Sequence, residues 1–193
     1  MMAERPDGAR PGSLPPAVRA LRHAPARIFH PLRRRAAAAR LARRGLPASI
    51  LFVCHGNICR SPLAAALLRR ALSRKDVGVA SAGFMGPGRP APPEAVAAAA
   101  HYGVDLSAHR SQLLTADHAR GADLIVVMDP SQRREICDRF GRLERDVLVL
   151  GDLDPQLIDT RAIRDPVNQP RDVFEESYAR IERCVRELER AIG

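Results

Sequence analysis

The residues best suited to chemistry form one continuous stretch, Cys54-His55-Gly56-Asn57-Ile58-Cys59-Arg60-Ser61-Pro62. It follows the apolar run of residues 50–53, which is typical of a β-strand buried on both faces. Gly56 and Asn57 are residue types that tolerate left-handed backbone geometry, so they predict a tight loop. Pro62 fits the first turn of a helix, which places Arg60 at the start of that helix.

A loop of this kind predicts phosphoryl transfer. Its backbone N–H groups can form an anion cradle, and the N-terminus of the following helix adds positive potential. Arg60 contributes a planar guanidinium that matches two phosphate oxygens. The same environment favours the thiolate form of Cys54, which could then attack phosphorus in line. A buried cysteine beside a helix N-terminus is the structural alternative, but the ordered set of residue types disfavours it.

The elements that must position this loop alternate between strands and helices. The predicted strands are residues 50–53, 77–80, 123–128 and 147–150. The predicted helices are residues 63–72, 94–102, 115–119, 131–140 and 172–192. This order predicts an α/β fold, a three-layer sandwich with a four-stranded parallel sheet and helices on both faces. The phosphate-binding loop then follows the first strand, at the sheet edge where such folds bind ligands.

Basic residues are concentrated at the N-terminus. The chain has 193 residues and a formal charge of +9, and residues 1–49 contain 11 arginines but only two acidic residues. Residues 50–193 contain 20 basic and 20 acidic side chains, so the domain itself is not expected to bind nucleic acid.

We therefore predict two parts, with the boundary between residues 48 and 49. Residues 1–48 form a basic extension rich in Pro, Ala and Arg, largely disordered or loosely helical, with short helices near residues 17–23 and 32–44. Residues 49–193 form the catalytic domain. The extension is either a solvated tail or a contact to an acidic partner or an anionic membrane surface, and we expect it to be dispensable for turnover of small substrates.

Cysteine usage and hydropathy predict a cytoplasmic protein. No apolar stretch is long enough for a membrane span, and the N-terminus lacks a secretory signal pattern. None of the four cysteines has the spacing of a zinc site or of a dense disulfide framework. We expect free thiols, no metal and no cofactor.

The sequence resembles the low-molecular-weight protein tyrosine phosphatase family over roughly residues 49–192. Beyond the nine-residue loop, four segments match the family in order: Ser81-Ala82-Gly83, Gly103-Val104-Asp105 with His109, Val127-Met128-Asp129, and Asp165-Pro166. The resemblance implies a protein tyrosine phosphatase that hydrolyses aryl phosphomonoesters through a phosphocysteine intermediate.

The resemblance also implies a role for each site residue. Cys54 is the nucleophile, Arg60 binds phosphate and steadies the transition state, and Asp165 is the general acid and base. The implied substrate- and phosphate-binding residues are His55, Gly56, Asn57, Ile58, Cys59 and Ser61. Within that set, Asn57 holds the loop geometry, supported by Ser81, and Cys59 is either a redox guard of the nucleophile or a packed thiol.

Two departures from the family bear on the substrate. Val167 follows Asp165-Pro166 where many members carry an aromatic residue, whereas Ile58 favours the tyrosine branch over relatives that act on phosphoarginine. The implied partner is a phosphotyrosine protein, with a bacterial tyrosine kinase as one candidate. Two alternatives are a thioredoxin-linked arsenate reductase, for which Cys137 is a lone relay candidate, and a non-catalytic phosphate-binding module.

Overall fold

A computed structural model describes residues 16–73 and 76–193, with side chains described from residue 24 onward. The strands are β1 Ser49–Cys54, β2 Gly78–Gly83, β3 Leu124–Val127 and β4 Val147–Val149. The helices are α1 Pro16–Arg44, α2 Arg60–Ala71, α3 Pro93–Ala100, α4 Ala116–Gly121, α5 Pro130–Phe140 and α6 Arg171–Ile192. Two short 3₁₀ turns, Glu144–Asp146 and Leu150–Leu153, flank β4. The irregular structure predicted for residues 1–15 lies outside the described residues.

The four strands form one parallel sheet in the order β2-β1-β3-β4. β1 is central, and its Val53 pairs with Ala82 on one side and Val127 on the other. Because all four strands run in the same direction, their carboxyl ends meet at one edge of the sheet. The loop that begins at Cys54 leaves from that edge, which confirms the predicted sheet and the place of the loop.

Side chains along β1 alternate between two apolar cores. Ile50, Phe52 and Cys54 point to the face covered by α1, α2, α3 and α6. Leu51 and Val53 point to the opposite face, which α4 and α5 cover. All five side chains are buried, so β1 is apolar on both faces, as expected for a strand inside a parallel sheet. The predicted three-layer arrangement is confirmed.

The described part of the N-terminal extension differs from its prediction, because residues 16–44 form the single helix α1 and not two separate helices. Pro25 and Pro31 lie inside it, and each removes a backbone N–H and costs about 3 kcal/mol in a free helix. Packing offsets this cost, since Ala37 and Leu41 are buried against the core that contains α6. The short-range proline signal is therefore overridden by tertiary contacts.

α1 is strongly basic, with nine arginines and no acidic residue among its 29 residues. Its exposed side includes Ile28, Phe29 and Leu32. Within residues 16–73 and 76–193, no helix combines the length and the apolar character that crossing a bilayer requires.

Candidate active site

The phosphate loop runs from Cys54, the last residue of β1, to Arg60, the first residue of α2. Asn57 has a φ of 51°, which confirms a left-handed residue in the loop. Gly56 does not share this geometry, contrary to expectation. It instead leaves room for Arg89, whose guanidinium donates to the Gly56 carbonyl at 2.7 Å and would lie 3.0 Å from a Cβ at this position.

The Cys54 sulfur lies on the floor of the loop and is surrounded by donors. The backbone N–H of Asn57 donates to Sγ at 3.2 Å, and the Ser61 hydroxyl lies 3.0 Å from it. The first N–H groups of α2 have no intrahelical acceptors, and the helix dipole places partial positive charge at the same point. These donors are therefore directed at the one sulfur in the loop that is placed to attack a bound phosphorus.

A hydrogen-bond network around Asn57 fixes the shape of the loop. Its side-chain amide donates to Ser61 Oγ and Ser81 Oγ, both at 2.9 Å. Its Oδ1 accepts the Gln112 backbone N–H at 2.7 Å, and its carbonyl accepts His109 Nε2–H at 2.7 Å. Because Asn57 is fully buried, each of these bonds satisfies a group that would be costly to leave unpaired. Ser61 accepts from Asn57, so its own proton can point to the Cys54 sulfur.

Arg60 connects the loop to the segment that carries Asp165. The Arg60 side chain is only 5% exposed, and its Nη2 forms an ion pair with Asp165 Oδ2. Its Nη1 donates to the Ile163 carbonyl at 3.0 Å. Asp165 is 40% exposed, so its side chain is partly accessible to solvent beside Arg60. The structure thus brings Cys54, Arg60 and Asp165 together across more than 100 positions of sequence.

The other predicted loop residues differ in their exposure to solvent. His55 is exposed at the rim, and its carbonyl accepts the Phe84 N–H at 2.9 Å. Ile58 is half-buried, and Cys59 is buried with its carbonyl accepting the Tyr178 hydroxyl at 3.4 Å. Burial, reinforced by the neighbouring Cys54, raises the pKa of the Cys59 thiol. Cys59 is therefore neutral near pH 7, and it forms no disulfide in this structure.

The arrangement matches the requirements of an in-line displacement at phosphorus. Cys54 offers a sulfur that could act as the nucleophile, and Arg60 offers a guanidinium that could bind phosphate oxygens. The Asp165 carboxyl group, paired with that guanidinium, could transfer a proton. Among the described residues, no group of three or more His, Cys, Asp or Glu side chains is placed to hold a metal ion.

Gly83 supports the loop from the end of β2, and we predict that Gly83→Ala impairs catalysis. A Cβ there would lie 2.8 Å from the Asn57 N and 2.9 Å from the His55 carbonyl oxygen, both backbone atoms. Relieving the overlap must shift the loop, at about 1–3 kcal/mol. We expect kcat/KM for an aryl phosphate to fall about tenfold or more.

Gly86→Ala is the matched control, since a Cβ at residue 86 would meet no atom within 4 Å. If Gly83→Ala keeps wild-type kcat/KM and thermal stability, the loop does not depend on this contact.

The family model and the relatives that match this chain carry descriptions of the same protein family. The family model described as low molecular weight phosphotyrosine protein phosphatase matches residues 49–193. A probable low molecular weight protein-tyrosine-phosphatase EpsP from Ralstonia nicotianae is 44% identical over 137 residues, which cover 71% of this chain and 90% of that relative.

Solved structures show the same fold. The tyrosine phosphatase AmsI of Erwinia amylovora aligns with a TM-score of 0.69 at 34% identity and covers 77% of this chain and 95% of its own. The arginine phosphatase YwlE of Geobacillus stearothermophilus aligns with a TM-score of 0.66 at 31% identity and covers 75% of this chain and 92% of its own. The fold therefore accommodates both phosphotyrosine and phosphoarginine chemistry.

Proposed function

Because the chain belongs to the low molecular weight phosphotyrosine protein phosphatase family, we propose that it hydrolyses phosphotyrosine in proteins through a phosphocysteine intermediate on Cys54. The observation that carries this proposal is the convergence of Cys54, Arg60 and Asp165 on one cradle. Each supplies a different requirement of ester cleavage: nucleophile, charge stabilisation and proton transfer.

In the first step the Cys54 thiolate attacks phosphorus and an S–P bond forms. The P–O bond to the tyrosyl oxygen breaks, and the Asp165 carboxyl donates its proton to that oxygen. Tyrosine leaves as a neutral phenol. Arg60 and the N–H groups at the start of α2 bind the phosphoryl oxygens, where charge is distributed in the transition state.

In the second step the Asp165 carboxylate accepts a proton from water, and the water oxygen attacks phosphorus. The S–P bond breaks, and the electron pair returns to the Cys54 sulfur as a thiolate. The Ser61 hydroxyl, 3.0 Å from that sulfur, donates to it as it leaves. The products are free phosphate and the regenerated enzyme.

The Arg60–Asp165 ion pair gives the ligand-free site a resting arrangement. A bound phosphate ester competes for the same guanidinium, so its oxygens replace the carboxylate. The Asp165 carboxyl group is then released from its ion pair and can turn to the leaving oxygen, to which it donates a proton. Substrate binding itself thus prepares the acid.

The two alternative functions receive less support. An arsenate reductase needs a cysteine relay outward from the nucleophile, but Cys137 packs with the core on the opposite face of the sheet from Cys54. A non-catalytic phosphate-binding module would not require Asp165 to reach the cradle and pair with Arg60.

The proposed partner is a phosphotyrosine protein, and a bacterial tyrosine kinase remains a candidate from the family resemblance. The exposed side of α1, with Ile28, Phe29 and Leu32 among many arginines, is the surface on which an acidic partner or an anionic membrane would bind. We also propose that the domain begins at residue 49 and that the protein works in the cytoplasm.

A substrate panel tests the proposed function. Peptides of one sequence that carry phosphotyrosine, phosphoserine or phosphoarginine would be compared by phosphate release. We expect phosphotyrosine to be preferred in kcat/KM by at least about 100-fold. Preference for phosphoarginine would instead indicate an arginine phosphatase of the same fold. No phosphate release from any peptide would contradict phosphatase activity.

A further inference from the structure

The segment that leads to Asp165 is held by one arginine from α6. Arg180 Nη1 donates to the Ala162 carbonyl at 2.9 Å, and its Nη2 donates to the Thr160 carbonyl at 2.8 Å. Its Nε donates to Asp154 Oδ2 at 3.0 Å. One guanidinium therefore connects α6 to residues 154, 160 and 162. Residue 162 lies three positions before Asp165. We call residues 154–165 the acid segment.

Further contacts close the acid segment onto the body of the domain. Arg161 forms a bidentate pair with Asp152, with both N···O distances at 2.7 Å. The Ser177 hydroxyl donates to the Arg164 carbonyl at 3.0 Å. The chain passes so near Gly151 that a Cβ on that residue would collide with the Arg161 carbonyl oxygen. The segment is thus fixed by side chains as well as by its own turns.

The N-terminal helix reaches the same anchor. His30 of α1 is 2% exposed, and its Nε2–H donates to the Asp154 carbonyl at 2.8 Å. The side chain of Asp154 is 1% exposed and also pairs with Arg183 at 3.2 Å. Arg27 of α1 pairs with Asp159 inside the acid segment at 3.1 Å. α1 therefore contacts the acid segment at its first residue, Asp154, and near its middle, at Asp159.

We propose that Arg180 and His30 are positioning residues for Asp165, so that the N-terminal helix is part of the catalytic unit. This inference rests on the proposed function and adds to it, because the family model matches only residues 49–193 and leaves α1 outside. It also reverses the expectation from sequence that residues 1–48 are dispensable for turnover of small substrates.

Leaving-group chemistry separates this role from a merely structural one. Cleavage of phenyl phosphate expels a basic oxygen and needs proton donation by Asp165, whereas p-nitrophenolate leaves readily without a proton. A misplaced acid should therefore slow phenyl phosphate selectively. Damage to the phosphate loop or to overall folding should slow both esters alike. Since kcat/KM reports the steps up to cleavage of the P–O bond, it is the appropriate measure.

The experiment compares full-length Arg180→Ala and Arg180→Lys with wild type on both esters. We expect kcat/KM for phenyl phosphate to fall about 10-fold to 30-fold and that for p-nitrophenyl phosphate less than about threefold. Arg180→Lys keeps a positive charge near Asp154 but cannot bridge two carbonyls, so it should show the same selective loss. Arg186→Ala is the matched control, because Arg186 lies on α6 with an exposed side chain paired to Glu182.

The contribution of α1 is tested with His30→Leu and His30→Gln. Leu removes the donor to Asp154, and we expect a selective loss of about threefold for phenyl phosphate. Gln keeps an N–H at similar reach and should restore most of the rate. The control is Ala39→Gln, at an exposed position of α1, which should match wild type.

Equal losses on both esters, or none, in folded variants of Arg180 and His30 would overturn the positioning role while leaving the phosphatase proposal intact. Failure of wild type to hydrolyse either ester would instead overturn the proposed function.

Discussion

Replacement of Cys54 by Ser is expected to lower kcat/KM for p-nitrophenyl phosphate by at least about 10⁴-fold, because a hydroxyl is a far weaker nucleophile than a thiolate. The loop would keep its shape, since the Asn57 side chain bonds to Ser61 and Ser81 and not to Cys54. The measurement is steady-state hydrolysis, with inorganic phosphate as a probe of the cradle. The variant should still bind phosphate.

Cys137→Ser is the control for this prediction, because Cys137 is half-buried beside the core on the other face of the sheet. It should retain wild-type turnover. Substantial activity in Cys54→Ser would show that another group attacks phosphorus. Loss of phosphate binding in that variant would show that the cradle itself had collapsed, and the loss of rate would then say nothing for the nucleophile.

Asp165→Asn is expected to produce the second large effect, a loss of about 10²-fold to 10³-fold in kcat/KM for phenyl phosphate. The amide occupies the same space but cannot donate a proton as the carboxyl does. Because p-nitrophenolate leaves without protonation, the loss for its phosphate ester should be much smaller. The ratio of the two losses, measured by steady-state kinetics, reports the acid role directly.

Asp172→Asn is the comparison variant, since Asp172 is an exposed residue in the first turn of α6 and should not affect either ester. If Asp165→Asn slows both esters equally, Asp165 acts through the charge it shares with Arg60 and not as an acid. The losses in Arg180 variants should stay below those of Asp165→Asn, because a positioning residue cannot contribute more than the group it positions.

The phosphate loop could be predicted from sequence because its determinants are contiguous. The apolar β1, the left-handed Asn57 and the helix that begins at Arg60 each leave a local signature. The same holds for the sheet, whose buried strands are short apolar runs separated by helical segments. Gly56 is the exception, since its role depends on Arg89, which approaches from 33 residues away.

Contacts that depend on tertiary structure left no such signal. Only the family resemblance assigns Asp165 to the site, because an Asp-Pro pair is a common turn. His109 bonds to Asn57 through a ring nitrogen and Gln112 through its backbone N–H. The family resemblance includes His109, but nothing local in the sequence indicates that either residue contacts Asn57. Arg180 is one of many arginines on α6, and only its geometry distinguishes it.

The N-terminal extension is a second case in which tertiary contacts decide the structure and local sequence does not. Its prolines and high charge predict a largely disordered or loosely helical segment, yet residues 16–44 form the continuous helix α1, whose inner side packs against the domain. The deciding residues, among them His30 and Leu41, are widely spaced and lie within a strongly basic sequence. The prolines are recognisable in the local sequence, whereas the burial of these side chains, which stabilises the helix, depends on tertiary packing.

The most direct test of the account is to trap the intermediate. Asp165→Asn would be mixed with p-nitrophenyl phosphate, which can phosphorylate Cys54 without the acid, while hydrolysis of the S–P bond is slowed for lack of the base. Peptide mass spectrometry after quenching should find one phosphoryl group on the peptide that contains Cys54. Release of p-nitrophenol with no phosphoryl group on Cys54, or with one on another residue, would contradict the phosphocysteine mechanism.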